Sequence, residues 1–358
     1  MNLSSDLLRN FKGKRVFITG HTGFKGSWLT FLLKELGADI VGYSLLPNSI
    51  PSHFDLLNLS SQITSVIGDI RDNQLLNDTL RDFEPEFVFH LAAQALVMNS
   101  YEDPLNTYST NILGSVSLLE AVRKCDSVRS LVFVTSDKCY ENSEWIWGYR
   151  ETDKLGGKDP YSASKAAAEI IFSSYQESYF SKRSNFGAAS VRAGNVIGGG
   201  DWAENRIIPD CIRAIAENKS ILLRNPSATR PWQHVLEPIG GYLLLATKLY
   251  SEPANYRGAW NFGPSTRETK SVRQIADLLV DRIGKGVIIE DVAMDRPHEA
   301  MLLQLNCDKS NQYLGWHPKW NLNKTLEMTA DWYKEQLGGA PVAEITRHQV
   351  YEYFSELK

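Results

Sequence analysis

The sequence predicts an α/β protein: a doubly wound parallel sheet followed by a smaller C-terminal α/β lobe. Three observations predict it. A strand-like run, a glycine-spaced turn and an amphipathic helix follow one another across residues 16–37. Strand-like and helix-like runs then alternate over roughly 190 residues, the pattern of a doubly wound sheet. Beyond Gly198-Gly199-Gly200-Asp201-Trp202 the pieces shorten and the alternation is lost.

The first unit is the most informative. Val16-Phe17-Ile18-Thr19 is β-branched and aromatic, as a buried strand is. Gly20, Gly23 and Gly26 follow at three-residue spacing, and Trp28, Leu29, Leu32 and Leu36 then share one helical face that Gly37 ends. In this setting Gly20 permits the tight turn, Gly23 lets backbone approach a pyrophosphate, and Gly26 lets helix pack on strand. The helix start turns N–H groups and a positive dipole end toward phosphate. The unit is Rossmann-type, and Gly20, Thr22, Gly23, Phe24 and Gly26 are candidate dinucleotide contacts. His21 and Lys25, inside the loop, either touch phosphate or stand in solvent.

The second strand is Asp39–Tyr43. An NAD-selective fold usually places Asp or Glu near its end to hold the ribose 2′-hydroxyl. Here Ser44 holds that place, so NAD is expected and NADP is not excluded. Residues 45–62, with Pro47 and Pro51, read as an irregular surface loop. Residues 64–72 read as a third strand entering a helix, with Asp69 or Asp72 as cap; Asp69 and Ile70 join the cofactor candidates. A fourth strand starts at Phe87, and the small residues of Leu91-Ala92-Ala93-Gln94 leave room for a flat ligand at its end.

A helix is expected over 104–124, a fifth strand over 131–135, a helix over 161–180 and a sixth strand over 187–191. Residues 1–195 are thus expected to form the dinucleotide-binding domain. Residues 196–358 form mainly a substrate-binding lobe over the carboxyl ends of the strands, where ligands of such sheets bind; the chain is free to cross between the two. Short strands near 220–223, 259–262 and 286–289 are interleaved there with helices around 206–217, 236–250, 271–283 and 323–338.

Composition bounds the partners. The chain has 358 residues, 43% hydrophobic and 22% charged, with net charge −4. That balance argues against nucleic acid or an anionic membrane as partner. The opening residues hold no apolar signal core, and no apolar run approaches a membrane span. Four scattered cysteines form no CxxC pair, which fits reduced cytoplasmic thiols and no metal site. The nine tryptophans are expected to be mostly core.

The candidate chemistry sits at two places. Ser136-Asp137-Lys138 follows the fifth strand, and Tyr161 and Lys165 lie one turn apart at the start of a helix. An ammonium beside a phenol favours the phenolate, which makes a usable base at neutral pH.

Together, Gly20-x-x-Gly23-x-x-Gly26, His90-Leu91-Ala92-Ala93, Thr135-Ser136-Asp137 and Tyr161-x-x-x-Lys165 resemble the extended short-chain dehydrogenase/reductase family. The resemblance runs through most of the chain. Longer strings, among them residues 20–28, 135–140 and 192–202, are similar to the nucleotide-sugar 4,6-dehydratases of that family, with a CDP-linked glucose as the implied substrate. The implied chemistry is an intramolecular redox cycle. Hydride leaves C4 for NAD while Tyr161, assisted by Lys165, takes the C4 hydroxyl proton and Ser136 holds that hydroxyl. Water is lost across C5 and C6 with Asp137 as acid, and hydride returns to C6.

At position 138 family members acting on dTDP-glucose carry glutamate, their C5 base, where this chain has lysine. Lys138 is expected to perform or assist C5 deprotonation if desolvation or a nearby cation keeps it neutral, or else to stand as a phosphate-facing cation. The resemblance also implies that Asn195, Arg206, Arg230, Arg296 and His298 contact the sugar nucleotide. It implies a homodimer, or a dimer of dimers, pairing through the helices near 104–124 and 161–180. A nucleotide-sugar 4-epimerase, and a catalytically silent NAD(P)-binding protein, are the alternatives. An epimerase has no leaving group to protonate, and a silent protein would not need the Tyr/Lys pair.

Overall fold

The computed structural model describes residues 9–223, 225–264, 270–290 and 302–354. Its centre is a seven-stranded sheet. In chain order six of the strands are β1 (Arg15–Thr19), β2 (Asp39–Ser44), β3 (Thr64–Ile67), β4 (Phe87–His90), β5 (Ser130–Val134) and β6 (Gly187–Ala193). The spatial order is Gly258–Phe262, then β6, β5, β4, β1, β2 and β3, with every neighbouring pair parallel. Side chains alternate between faces as a strand requires. Val16, Ile18, Phe87, Phe89 and Val132 enter one apolar cluster; Phe17, Val88, Leu131 and Phe133 enter the other. Both faces are buried by helices, which is why these strands read as continuous apolar runs.

The order reverses between β1 and β4. The two strands stay paired up to Thr19 and His90, and the loops that follow leave a crevice at the carboxyl edge of the sheet, where ligands of open α/β sheets bind.

Four expectations change. Gly258–Phe262, expected in the lobe, crosses back to become the edge strand beside β6. The expected 104–124 helix begins at Pro104–Tyr108, widens into a π-helical turn at Ser109–Leu113 and resumes as Gly114–Lys124. The 45–62 loop contains a helical turn, His53–Leu56, because His53, Phe54, Leu57 and Leu59 are buried beneath the sheet-covering helix Phe24–Glu35. A final helix, Val342–Tyr353, was not expected; its Ile345, Val350 and Tyr353 complete the larger apolar cluster. Asp72, the second of the two expected caps, accepts from Leu75 N and starts the helix Asn73–Phe83.

Beyond β6 the lobe elements follow the expected rhythm: helices Ile207–Ala216, Leu236–Ser251, Val272–Ile283 and Leu322–Leu337. A two-stranded parallel ladder pairs Ile221–Leu223 with Ile288–Glu290. Among the described residues no helix is long and apolar enough to cross a membrane.

Candidate active site

The glycine turn explains its own sequence. Gly20 has φ +75, and a Cβ there would lie 2.7 Å from Ala92 N, across the crevice between β1 and β4. At Gly26 a Cβ would meet Gly20 O at 2.0 Å, so helix and turn interlock only through glycine. Gly23 differs: a Cβ there would touch only Gly20 O, at an ordinary 3.4 Å. Gly23 lines the candidate cavity. The helix Phe24–Glu35 has no side-chain cap and no acidic residue in its first turn, so its leading N–H groups and positive dipole end are left for an anion. These features fit a dinucleotide pyrophosphate.

His21 does neither of the two things expected of it, whereas Lys25 lines the candidate cavity. His21 is buried under β2, filling the space that Gly42 leaves, with Nε2 2.8 Å from Ser65 Oγ; burial lowers its pKa to about 4. Lys25 turns inward, its ammonium 3.3 Å from the Tyr242 hydroxyl, and burial with nearby Arg206 and Lys165 lowers its pKa to about 8.

At the end of β2, Thr22 Oγ1 lies 2.9 Å from Ser44 Oγ and donates to Leu45 O. Ser44 therefore donates to Thr22, which leaves its lone pairs able to accept a further hydrogen bond. The carboxylate of Asp69 is held by Arg71 at 2.6 Å, and Tyr43 OH donates to Asp69 O. Residues 91–94 are fixed from two sides. Thr19 Oγ1 accepts from Leu91 N and Ala92 N, and Asn111, inside the π-helical turn, bonds both the N–H and the C=O of Gln94 and reaches Ser164. Asn111 was missed in the sequence; its only signal is a lone amide within a helix.

The candidate reacting groups come from the ends of two elements. Past β5, Ser136 caps a single 3₁₀ turn, Asp137–Cys139, and donates from Oγ to Asp137 Oδ1 at 2.9 Å. A Cβ at Gly194 would stand 3.2 Å from Asp137 Oδ2, so the end of β6 covers the other carboxyl oxygen. Burial raises the Asp137 pKa, against the pull of Lys138, Ser136 and Arg230. The helix Pro160–Ser178 starts with Pro160 at its first position and Asp159 accepting from Ser162 N. It brings Tyr161 in beside Ser136, and Lys165 one turn on, its ammonium 6.0 Å from the Tyr161 ring centroid.

One electrostatic expectation is reversed. Burial pushes the Tyr161 phenol up to about 12, while the Ser136 hydroxyl and Arg206 pull it down only in part. Burial also lowers Lys165 to about 8, opposed by Cys139 and Glu169. Desolvation thus outweighs the groups that favour the phenolate within the protein itself.

Arg206 pairs with Asp201 at 2.9 Å and its charge reaches Tyr161; Arg230 is buried, and its charge reaches Asp137. Every expected site residue that falls among the described residues lines one cavity of about 950 Å³, Asn195 and Lys138 included. Tyr161 and Asp137 face that same space. Arg296 and His298 lie outside the described residues.

Comparison with known proteins agrees with this geometry. Residues 17–329 match the family described as GDP-mannose 4,6 dehydratase. The chain is 47% identical over 352 residues to the CDP-glucose 4,6-dehydratase of Salmonella typhimurium, covering 97% of this chain and 98% of that protein. It is 27% identical to the structure of Thermus thermophilus UDP-glucose 4-epimerase in complex with NAD, with TM-score 0.75 over 89% of this chain and 99% of the other. The dTDP-glucose 4,6-dehydratase of Streptomyces venezuelae, solved with NAD, shares the fold at TM-score 0.77 and 21% identity, over 92% of this chain and 99% of that one.

Proposed function

The chain belongs to the GDP-mannose 4,6-dehydratase family, and on that footing we propose that it converts CDP-D-glucose to CDP-4-dehydro-6-deoxy-D-glucose with NAD. One observation carries the reading: a buried carboxyl group, Asp137, shares a single cavity and a single hydroxyl neighbour, Ser136, with the phenol of Tyr161. An epimerase needs the phenol but has no use for the acid. The relative at 47% identity carries the dehydratase name, while the epimerase structure stands at 27%.

Bound NAD+ supplies the hydride acceptor for C4 and the donor for C6, and its positive charge lowers the pKa of a phenol beside it. Tyr161 takes the C4 hydroxyl proton, with Arg206 and Lys165 supporting the phenolate. Ser136 holds that hydroxyl in line. The C4 ketone acidifies the C5 hydrogen, which Lys138 takes in its neutral amine form. Asp137, kept protonated by burial, gives its proton to the departing C6 hydroxyl. Exclusion of water by the enclosing lobe protects the enolic intermediate.

In this reading Ser44 accepts from the adenosine ribose, Gly20, Thr22, Gly23, Phe24 and Gly26 cradle the pyrophosphate, and Asp69 and Ile70 border the adenine. Residues 91–94 flank the cofactor's centre. Asn195, Arg206 and Arg230 hold the sugar nucleotide, with residues 1–195 mainly cofactor domain and 196–358 mainly substrate lobe. Exposed Leu105, Leu113 and Ile170 support pairing of two copies through the helices that carry them. A cytoplasmic homodimer, or a dimer of dimers, belongs to the same proposal. Purified protein incubated with CDP-glucose tests it: alkaline absorbance of a 4-keto sugar is expected, and its absence with saturating NAD refutes the reading.

A further inference from the structure

The reaction groups lie on two separate pieces of chain. Tyr161 and Lys165 ride on the helix Pro160–Ser178, whereas Ser136, Asp137 and Lys138 sit in the short run after β5. A slip of about 1 Å between the pieces would leave every residue present and the reacting geometry lost.

Glu169 follows Lys165 by one helical turn on the same face. Its side chain is 3% exposed, and its two oxygens receive four hydrogen bonds. Thr135 Oγ1 donates at 2.5 Å and Ser190 Oγ at 2.8 Å; Arg192 Nε and Nη2 donate at 3.0 and 2.8 Å. Arg192 in turn donates from Nη1 to Tyr140 OH at 2.7 Å and lies 4.8 Å from the Tyr140 ring centroid. Tyr140 OH donates onward to Asn261 in the edge strand. Thr135 and Tyr140 are the residues on either side of the run 136–139.

We propose that the buried Glu169–Arg192 pair is a positioning device that fastens both ends of the Ser136–Cys139 run to the helix bearing Tyr161 and Lys165. Thr135 is fastened directly and Tyr140 through Arg192. The device registers Asp137 and Lys138, together with Ser136, against Tyr161 and Lys165, and it rests on the dehydratase reading. A buried ion pair is poor value as pure stabilisation, since well-packed apolar residues do as well or better. The geometry of this one, with all four acceptor sites of the carboxylate filled, specifies a position instead.

Single cuts at each end test the device. Glu169→Gln leaves Arg192 as an uncompensated buried cation and endangers the fold, so Thr135→Val and Tyr140→Phe are the working variants. Each removes one fastening hydroxyl and leaves the ion pair. With melting temperature checked, each is expected to lower dehydration turnover by about 10- to 100-fold, the effect of a misplacement near 1 Å. KM for CDP-glucose should stay within about twofold of the wild type. C4 oxidation in a single turnover should fall much less than C5 solvent exchange, and Thr135→Ser should restore both. Wild-type turnover in folded variants, or equal losses in the two steps, overturns the positioning role alone. Failure of the wild-type protein itself to make a 4-keto-6-deoxy product overturns the dehydratase reading, and this inference with it.

Discussion

Ser136 Oγ lies 2.9 Å from Asp137 Oδ1, and the same hydroxyl is the hydrogen-bonding neighbour that lowers the Tyr161 phenol pKa. The proposed base for one proton and the proposed acid for another thus neighbour one serine. The two carry opposite needs. Burial raises both pKa values and so favours the protonated form of each, which suits an acid at Asp137 and opposes a base at Tyr161.

Asp137→Asn keeps the shape of the side chain and removes its acidic proton. Overall turnover is expected to fall by about 10²- to 10⁴-fold, the range for loss of a general acid. Oxidation at C4 should persist, seen as reduced-nicotinamide absorbance in a single turnover. Parallel loss of both steps would assign Asp137 to oxidation instead.

Lys138→Met tests the C5 base. The variant should abolish exchange of the C5 hydrogen with deuterated solvent while C4 oxidation remains measurable. Exchange at the wild-type rate would move the base to another group in the cavity.

The glycines separate fold from cofactor. Gly26→Ala places a methyl 2.0 Å from Gly20 O and should lower the melting temperature sharply. Gly23→Ala meets only an ordinary 3.4 Å contact, so its melting temperature should stay close to that of the wild type. Its NAD affinity should nonetheless fall about tenfold or more, because the new methyl occupies the path by which a pyrophosphate approaches. Calorimetric titration with NAD reads the difference; unchanged affinity in Gly23→Ala would remove that glycine from the site.

Four buried imidazoles govern acid stability. Burial lowers His21 to about 4 and His53, His90 and His234 to about 3. Each pKa is depressed in the folded chain, so each contributes stability that is full above the unfolded value near 6.5. That contribution is lost as pH falls from there toward 3 to 4, because the unfolded chain binds the proton first. Each such proton contributes about 1.4 kcal/mol per pH unit to the slope. Urea melts from pH 7 to pH 5 should show a steep fall in unfolding free energy. A flat profile would contradict neutral burial of these rings.

The sheet was legible because both of its faces are buried, which makes β1, β4 and β5 continuous apolar runs bounded by turns. Tyr161 and Lys165 were legible because helical spacing sets their relation locally. What escaped notice depends on distant chain. The pairing of Gly258–Phe262 with β6 is invisible to any local pattern, as is the burial of His21, which needs Gly42 on the neighbouring strand. The inward turn of Asn111 answers backbone groups of Gln94 that only the folded crevice brings near. The Tyr161 pKa went the other way for the same reason: spacing reveals the lysine, and only the fold reveals how much water is excluded.

The central claim, that hydride leaves and returns within one hexose, is tested most directly with CDP-glucose carrying deuterium at C4. The account predicts a 4-keto-6-deoxy product with that deuterium at C6, transferred within the same molecule. Deuterium found again at C4 of an epimerised sugar, or lost to free cofactor, would contradict it.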